Sequence, residues 1–380
     1  METEVNNPFV LGMYVSPEYF CDREAELEQL KSHIWNGRNV VLTARRRIGK
    51  TGLIHHLFHQ KDIREQYNTV FADVYTTSSF QDFVYKLTKS VLNSDIARNV
   101  NWAQKIGRFI KSLRLTLTFN NETSMPEFNI TLGDIRSPET TLEEVFQYLN
   151  SSNKKTILAI DEFQTIAQYK ESVSTEAQLR SVVQVSPNVR MIYSGSEAHI
   201  LAEMFLSAHR PFYQSTTPMH LDVIPESEYY DFAKSHFEKI KRELSSELFS
   251  SIYTEYNGCT WYVHSILNAL YNVREEGKEI GFKDVEKALE TTLCMYKYQF
   301  EELMRILSPR QQDLLRAMAR EEPVEKILSE EFIIRNNLGT ASSIQGSLRA
   351  LERKGLVQRE TDGWHILDYF LAKWILRSRF

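Results

Sequence analysis

The chain contains 380 residues, of which 42% are hydrophobic and 25% are charged, and its formal net charge is −5. At about 100 to 200 residues per domain, this length indicates two or three domains, and the composition excludes a disordered, collagen-like or low-complexity chain. The negative net charge excludes a globally basic surface for nucleic acid, so any contact with DNA would be local.

The N-terminus and the cysteines indicate the compartment. Residues 1–4 are METE, without the basic and apolar regions of a signal peptide, and no run of 18 apolar residues occurs. Cys21, Cys259 and Cys294 are far apart and lack metal-ligand spacing, which favours a reducing compartment and a role as small core residues. We therefore expect a cytoplasmic protein with no membrane partner.

The first half of the chain alternates strand patterns with helical patterns. Residues 22–34 predict a surface helix with Asp22 as its N-cap. Short apolar runs, typical of strands buried on both faces, follow at 39–43, 70–74, 156–160 and 189–193. Strands that alternate with helices predict an α/β fold in which a parallel sheet is flanked by helices.

A β-hairpin insert is predicted at about residues 113–132 of this core. Residues 113–119 and 127–132 alternate polar and apolar side chains with a period of two, and residues 120–123 (NNET) between them are typical of a turn. After the insert, residues 140–143 (TTLE) form a capping-box pattern for a helix expected to end near Asn150.

After about residue 221 the strand patterns give way to helical ones. Long helical patterns occupy residues 229–243, 247–256, 261–275 and 284–302. A third unit is indicated at Ser308, where an N-cap, a proline at N1 and a glutamine at N3 coincide. Helical patterns that end with 341–354, followed by strand patterns at 355–359 and 364–366, are typical of a winged helix. We expect a core at 1–220, a helical domain at 221–302 and a winged-helix domain at 303–380.

A phosphate-binding loop pattern follows the first strand. Residues 44–51 (ARRRIGKT) match G-x-x-x-x-G-K-T, except that Ala44 replaces the first glycine. In such a loop the backbone N–H groups surround the β-phosphate, and Gly49 permits their close approach. Lys50 would neutralise β- and γ-phosphate oxygens, and the Thr51 hydroxyl would hold Mg²⁺. The predicted nucleotide-binding residues of this loop are Arg47, Ile48, Gly49, Lys50, Thr51 and Gly52. The alternative is a basic turn before a helix.

An acidic pair ends the strand at 156–160. Asp161 and Glu162 follow four apolar residues, at the strand terminus where ligands of an open α/β sheet bind. Asp161 would hold Mg²⁺ through water, and Glu162 would act as the general base on the attacking water. The alternative is an acidic pair that only ends a strand.

Two further polar features are candidates for contact with the γ-phosphate. Ser194 and Ser196 end the strand at 189–193, and the sequence leaves open which of them contacts the phosphate or the water; Ser196 is included among the expected catalytic residues with Glu162 and Lys50. Arg210 would contact a γ-phosphate in its own chain or in a neighbouring one, or would be a solvated arginine before Pro211.

Four segments together resemble the archaeal and bacterial AAA+/STAND-type P-loop ATPases with a C-terminal winged helix. They are the box at 20–27 (FCDREAEL), the loop at 45–51 (RRRIGKT), the segment at 160–164 (IDEFQ) and the strand end at 194–196 (SGS). Residues 364–374 are similar to the C-terminal segment of that family, so the resemblance spans nearly the whole chain. It implies an AAA+-like core, a helical lid, a winged helix, and a regulatory use of ATP and ADP.

The resemblance also implies roles for single residues. Phe20 and Arg23 would approach the adenine side of the nucleotide, and ATP with Mg²⁺ would be the cofactor. Three positions depart from the family's pattern: Ala44 in the loop, Gln214 where an arginine is often seen, and Thr260 where a lid proline is frequent. These departures bear on hydrolysis more than on binding.

The winged helix offers one amphipathic helix for contact with a partner. Its two sides are expected to carry Ser342, Gln345, Arg349 and Arg353 against Ile344, Leu348 and Leu351. Residues 305–360 contain ten Lys/Arg and eight Asp/Glu, a difference of +2, so duplex DNA binding is expected to be weak. Contact with a protein, or packing against the lid, is the alternative.

Three functions are compatible with these patterns. The first is a switch ATPase, in which nucleotide state repositions the lid and the winged helix against an unidentified protein partner and a nucleotide-dependent oligomer can form. The second is a nucleotide-binding, DNA-binding transcriptional regulator with little or no hydrolysis. The third is an interaction scaffold with neither activity.

Overall fold

The computed structural model describes residues 6–12, 14–94, 111–112, 116–119, 126–129, 131–273 and 279–378. The chain forms two compact units. The first contains Gly12–Tyr229, and the second combines Asn6–Leu11 with Tyr230–Phe380. The separate boundary expected at 302/303 stays a prediction.

A five-stranded parallel sheet forms the centre of the first unit. The strands of this unit are β1 (Val40–Thr43), β2 (Tyr67–Asp73), β3 (Thr116–Phe119), β4 (Pro126–Asn129), β5 (Lys155–Asp161), β6 (Val189–Gly195) and β7 (Thr217–His220). Five of them pair in the order β2-β5-β6-β1-β7, and every pair in that sheet is parallel. The α/β fold with a parallel sheet is therefore confirmed.

Helices separate the strands of this sheet along the chain. They are α1 (Glu24–Trp35), α2 (Lys50–His59), α3 (Lys61–Gln66), α4 (Phe80–Leu92), α5 (Pro138–Asn150), α6 (Ser172–Gln184) and α7 (Ala198–Leu206). A short 3-10 helix, Phe163–Gln168, follows β5 directly. Because parallel strands need crossover connections, this alternation fixes all their carboxyl ends at one edge.

Two predicted helix starts in this unit are wrong. α1 begins at Glu24 with Arg23 as its N-cap in a left-handed conformation (φ 74°), and the side chain of Asp22 does not cap it. α5 begins at Pro138 after Ser137 rather than at the TTLE pattern, because proline at the first position has its φ preset for a helix and needs no N–H partner there. The predicted end of α5 at Asn150 is confirmed.

The hairpin insert is present as an antiparallel pair. β3 and β4 pair with Leu117 opposite Phe128, so the predicted hairpin is confirmed over these strands. The predicted turn at 120–123 and the strand ends at 113–115 and 130 lie outside the described residues. The strand pattern predicted over 131–132 is wrong, because Thr131 caps a 3-10 helix at Leu132–Asp134.

An aromatic cluster packs beneath the carboxyl ends of the central strands. Phe163, Tyr193, Phe205 and Phe212 are fully buried, and their ring centroids lie 4.6 to 5.8 Å apart. Burial of an aromatic ring stabilises by roughly 1.5–3 kcal/mol. Because Phe163 is the residue directly after the acidic pair, its burial anchors the turn that carries Asp161 and Glu162.

The second unit is mainly helical and ends in a small sheet. Its elements are α8 (Glu226–Lys239, which begins in the first unit), α9 (Ser246–Glu255), α10 (Thr260–Asn272), α11 (Phe282–Arg305), α12 (Pro309–Arg320), α13 (Glu330–Arg335), α14 (Ala341–Arg353), β8 (Val357–Arg359), β9 (Trp364–Ile366) and α15 (Tyr369–Arg377). The predicted capping box at Ser308 is present, since its hydroxyl accepts from the backbone N–H of Gln311 and the Gln311 side chain accepts from Ser308 N–H. β8 and β9 pair antiparallel after three helices, which confirms the winged-helix region.

The N-terminal segment 6–11 packs inside this second unit. Phe9 is fully buried, and its ring contacts those of Phe237, His264 and Tyr271 at centroid distances of 5.4 to 5.8 Å. Burial lowers the pKa of His264 to about 4, so its imidazole is neutral at pH 7. The sequence patterns do not predict this long-range contact.

Two further expectations concern the cysteines and the membrane. Cys21 and Cys259 are buried as predicted, whereas Cys294 is exposed because it lies on the outer face of α11. Among the described residues, no helix is both long and apolar enough to cross a bilayer.

Candidate nucleotide-binding site

The loop at 44–49 connects β1 to α2 at the carboxyl edge of the sheet. Arg47 (φ 65°) and Gly49 (φ 106°) both have left-handed backbone, and Gly49 is the N-cap of α2. A side chain at position 49 would be strained by this φ, although the space around it is open. Ala44 is not left-handed, so alanine fits where the loop pattern has its first glycine. The loop therefore leads directly into the N-terminus of α2, the end of a helix that favours an anion.

Lys50 places a positive charge inside this loop. Its side chain is only 6% exposed, and its Nζ donates to the carbonyl oxygens of Ala44 (3.3 Å) and Arg45 (3.4 Å). Burial lowers the pKa of Lys50, and the nearby carboxylates of Glu162 and Asp161 oppose that shift. The ammonium is thus held between the loop backbone and the acidic pair.

Asp161 accepts three hydrogen bonds at the end of β5. The Thr51 hydroxyl donates to Oδ2 (2.6 Å), while the Ser194 hydroxyl (2.7 Å) and the Glu162 backbone N–H (3.1 Å) donate to Oδ1. The pairing of Ile160 with Tyr193 in the β5–β6 register brings Ser194 beside Asp161. The first turn of α2, β5 and β6 therefore meet at one buried carboxylate.

The hydroxyl and carboxylate of this cluster fit a magnesium ion. Mg²⁺ prefers oxygen ligands, and it is usually bound by one or two protein groups with the rest supplied by water and phosphate. Thr51 and Asp161 supply such oxygens 2.6 Å apart beside the anion-binding loop. They are the residues that would hold the ion.

Glu162 and Ser196 form a second contact at the same edge. Glu162 has left-handed backbone (φ 55°), and its Oε2 accepts from the Ser196 hydroxyl (3.2 Å) and from the amide of Gln164. The Ser196 oxygen in turn accepts from Nε of Arg46 in the loop (3.4 Å). The two candidate serines therefore contact different carboxylates, Ser194 that of Asp161 and Ser196 that of Glu162.

The residues of the N-terminal box lie against the loop and α2. Arg23 is 2% exposed and donates to the carbonyl oxygen of Ile48 (3.3 Å) and to Glu26 (2.7 Å). Phe20 lies over Gly52, where a Cβ would come within 3.0 Å of the ring. Arg23 thus stabilises the loop through the carbonyl oxygen of Ile48. Glycine at position 52 leaves space for the ring of Phe20. Their approach to adenine stays a prediction.

Sequence reasoning missed two partners of Phe20. His56 stacks on its ring at 4.4 Å, and the hydroxyl of Tyr14 hydrogen-bonds Nδ1 of His56 (2.9 Å). Burial lowers the pKa of His56 to about 4, which keeps this imidazole neutral at pH 7. The helical spacing of His56 to Gly52 on α2 is the signal that would have indicated the first contact.

Arg210 forms an ion pair with a buried carboxylate. Its guanidinium pairs with Glu176 of α6, whose carboxyl is fully buried, while the Arg210 side chain is 14% exposed. Burial raises the pKa of Glu176 to about 7, and Arg210 opposes that shift. The expectation of a solvated arginine is therefore wrong, because Arg210 compensates a buried carboxyl. Its contact with a γ-phosphate stays a prediction.

Replacing Arg210 by methionine is expected to reduce the free energy of unfolding at pH 8 by about 2 kcal/mol. Breaking a buried ion pair costs about 3–5 kcal/mol, but the cost here is smaller because Glu176 can take up a proton. That proton is bound more tightly in the folded state than in the unfolded state, so the folded variant loses stability as pH rises from about 5 to 8. Urea unfolding of Arg210→Met at both pH values measures this. Equal losses at pH 5 and pH 8 would contradict the pairing.

Two known families match successive parts of the chain. Residues 20–266, more than half of the chain, match the family described as "ATPase domain predominantly from Archaea". Residues 298–377 match the family described as "Probable winged helix domain". A search of curated proteins finds no match.

Three solved structures share the fold over nearly their whole length. The Walker-type ATPase paby2304 of Pyrococcus abyssi has a TM-score of 0.66 and 18% identity, with 97% of this chain and 99% of that chain covered. The ORC2 protein of Aeropyrum pernix, in ADPNP-ADP complexes, has a TM-score of 0.58 and 15% identity, with 97% of each chain covered. The ORC1 protein of Aeropyrum pernix in complex with DNA has a TM-score of 0.56 and 12% identity, with 98% of this chain and 96% of that chain covered.

These likenesses agree with the fold described above. At these identities the solved structures support the fold alone, whereas the family match rests on the sequence. The resemblance drawn from the sequence motifs is therefore confirmed, and the chain belongs to the family of ATPase domains found predominantly in Archaea, with a winged helix domain at its C-terminal end.

Proposed function

We propose that the chain binds Mg·ATP at the loop 44–51 and hydrolyses it to ADP and phosphate. The observation that carries this proposal is the meeting of Thr51, from the first turn of α2, and Ser194, from β6, on the two oxygens of Asp161. A turn that only ended a strand would not need a buried carboxylate joined to the loop in this way. Lys50, held beside the same carboxylates, supplies the opposite charge for the phosphates.

Each residue of the cluster has one part in the reaction. The loop N–H groups and Lys50 bind the β- and γ-phosphates. Thr51 and Asp161 would hold the Mg²⁺ ion, which would supply positive charge against the phosphate oxygens. The water oxygen bonds to the γ-phosphorus as the bond to the bridging oxygen breaks, and ADP leaves with the electron pair. Glu162 takes the proton of the water, and Ser196 holds the Glu162 carboxylate.

The nucleotide state is proposed to act as a switch. In this proposal ATP and ADP favour different positions of the helical domain and the winged helix, and these positions change the contact with a protein partner or with a second copy of the chain. A protein of similar fold supports the nucleotide part, since the ORC2 protein of Aeropyrum pernix was solved in ADPNP-ADP complexes. A ligand shifts such an equilibrium only by its difference in affinity for the two states.

Titration with a fluorescent ATP analogue, with and without Mg²⁺, tests the binding step. Saturable binding that tightens with Mg²⁺ supports the site, and the same affinity after EDTA treatment would contradict the proposed roles of Thr51 and Asp161. Steady-state phosphate release then tests turnover. Repeating it with duplex DNA separates an ATPase from a DNA-binding regulator that does not hydrolyse ATP.

A DNA-binding regulator is the second candidate, and α14 favours it. Ile344, Leu348 and Leu351 are buried in the winged helix, and the opposite face of α14 is exposed. That face consists of Ser342, Gln345, Arg349 and Arg353. The similar ORC1 protein was solved in complex with DNA. A polar, exposed helix face of this kind would suit the major groove of a duplex.

Duplex binding through α14 is expected to be weak and strongly dependent on salt. With ten Lys/Arg against eight Asp/Glu over residues 305–360, few phosphates can be neutralised, so affinity should fall steeply as salt rises. Arg349→Ala and Arg353→Ala should weaken binding by a similar factor on any sequence and leave ATP affinity unchanged, because phosphate contacts do not read bases. Fluorescence anisotropy at several salt concentrations measures both effects. Nanomolar, sequence-selective binding at physiological salt would instead favour the regulator.

A further inference from the structure

Gln164 lies two residues after Glu162 and is almost completely buried. Its side chain is 2% exposed, and its Nε2 donates to Oε2 of Glu162. If the amide were reversed, its oxygen would face the carboxylate of Glu162, and both groups are acceptors. The NH₂ group of Gln164 therefore faces Glu162. Buried glutamine is uncommon, which calls for a reason beyond packing.

The opposite side of the Gln164 amide meets the end of β6. A Cβ on Gly195 would lie 2.0 Å from Oε1 of Gln164 and 2.9 Å from Leu201. Only glycine at position 195 therefore leaves room for the amide in this orientation. The amide is enclosed between Glu162 on one side and the backbone of β6 on the other, so it has little freedom to move.

This orientation has an energetic cost. Among the residues that the structure describes, Oε1 of Gln164 has no hydrogen-bond partner. A buried polar atom without a partner costs about 1–3 kcal/mol, whereas an apolar side chain of the same shape would avoid that cost. If the position served only to fill the core, methionine or leucine would be more stable there. The compensating interaction is the hydrogen bond to Glu162.

We propose that Gln164 is a positioning residue for Glu162 in ATP hydrolysis. The inference rests on the function proposed above, in which Glu162 is the general base. Gln164 and Ser196 both donate to Oε2 of Glu162, so Oε1 is the oxygen that takes the proton from water. The enclosed amide of Gln164 donates to Oε2 of Glu162. This hydrogen bond limits rotation of the carboxylate and keeps the base in one orientation.

Gln164→Met tests this role. Methionine is unbranched and of similar length, so it fills the site without a donor. We expect kcat to fall about tenfold, the effect of losing one hydrogen bond to a charged group. KM and the Kd for the ATP analogue should stay within about twofold, because the Gln164 amide donates to the proposed base and not to a proposed phosphate-binding group. Gln178→Met, which removes a glutamine bound to Ser174 on α6, is the matched control and should leave kcat unchanged.

A double-mutant cycle separates positioning from a merely structural role. In the Glu162→Gln background there is no base to position, so Gln164→Met should lower single-turnover hydrolysis no further. An equal loss in both backgrounds would overturn the proposal, and so would wild-type kcat in Gln164→Met while Glu162→Gln is impaired. If Glu162→Gln itself hydrolyses ATP at the wild-type rate, the proposed base is wrong and the role of Gln164 falls with it.

Gly195→Ala provides a second route that leaves Gln164 in place. The added methyl group overlaps the Gln164 amide and should displace it from Glu162, which predicts a loss of kcat similar to that of Gln164→Met. Combining Gly195→Ala with Gln164→Ala removes the overlap with the amide and leaves only the 2.9 Å approach to Leu201, so folding stability should recover in part while kcat stays low. Recovery of kcat in the double variant would overturn the proposal, because relief of strain would then suffice without the hydrogen bond.

Discussion

Replacing Lys50 by alanine is expected to raise the Kd for ATP by about a hundredfold or more. Truncation of a buried charge that pairs with an opposite charge costs about 2–5 kcal/mol of binding free energy, and 2.7 kcal/mol corresponds to about a hundredfold. Lys50 is 6% exposed, and its Nζ is held by the carbonyl oxygens of Ala44 and Arg45 inside the loop. The charge is therefore already in position before a phosphate arrives, and alanine cannot replace it. Titration of a fluorescent ATP analogue measures the change.

Lys31→Ala is the matched control for this variant. Lys31 is also buried and charged, but it lies on α1 and pairs with Glu28 (3.0 Å) and Asp62 (3.2 Å). Its removal should lower stability and leave ATP affinity within about twofold, since it takes no part in the loop. Lys50→Ala with wild-type affinity, in protein that melts cooperatively, would show that the loop does not bind phosphate.

The features that local sequence patterns predict are those that depend on a few adjacent residues. The loop at 44–51 and the pair Asp161-Glu162 are recognisable because each follows a short apolar strand, and the structure brings them together at one sheet edge. Parallel strands place their carboxyl ends side by side. The alternation of strands and helices therefore predicts that the loop and the acidic pair lie close together. The roles of the single residues stay predictions.

The features that the sequence does not reveal depend on register and tertiary packing. β7 (Thr217–His220) contains Pro218, which weakens any strand pattern, yet proline is tolerated there because β7 is the edge strand. Likewise, the position of Ser194 beside Asp161 follows from the β5–β6 register, which aligns Ile160 with Tyr193. A shift of one residue would have exchanged the faces of the two strands. Which of Ser194 and Ser196 contacts the phosphate stays a prediction.

The N-terminal box illustrates the same limit. A helix start at Asp22 is the prediction from N-cap preference, but Arg23 occupies that position because its buried guanidinium is bound to the Ile48 carbonyl oxygen. Tertiary contact therefore overrides local propensity. The side chain that the resemblance connects with adenine is, in this structure, a support of the phosphate-binding loop.

Glu162→Gln is expected to bind ATP with an affinity within about twofold of wild type and to reduce kcat at least about a hundredfold, the lower end of general-base contributions. Glutamine keeps the shape of the side chain and can still accept from the Ser196 hydroxyl, so the local structure should persist. What it cannot do is take a proton from water. Analogue titration and phosphate release, measured on the same preparation, give the two numbers.

The control for Glu162→Gln must remove a negative charge from the same edge without touching the proposed base. Glu197, the N-cap of α7 next to Ser196, meets that need, and Glu197→Gln should hydrolyse ATP at about the wild-type rate. If both variants lose activity equally, the edge requires negative charge rather than a proton acceptor at 162. If Glu162→Gln keeps wild-type turnover, the proton of the attacking water goes to another group, and the contacts of Glu162 with Ser196 and Gln164 serve the fold of the turn.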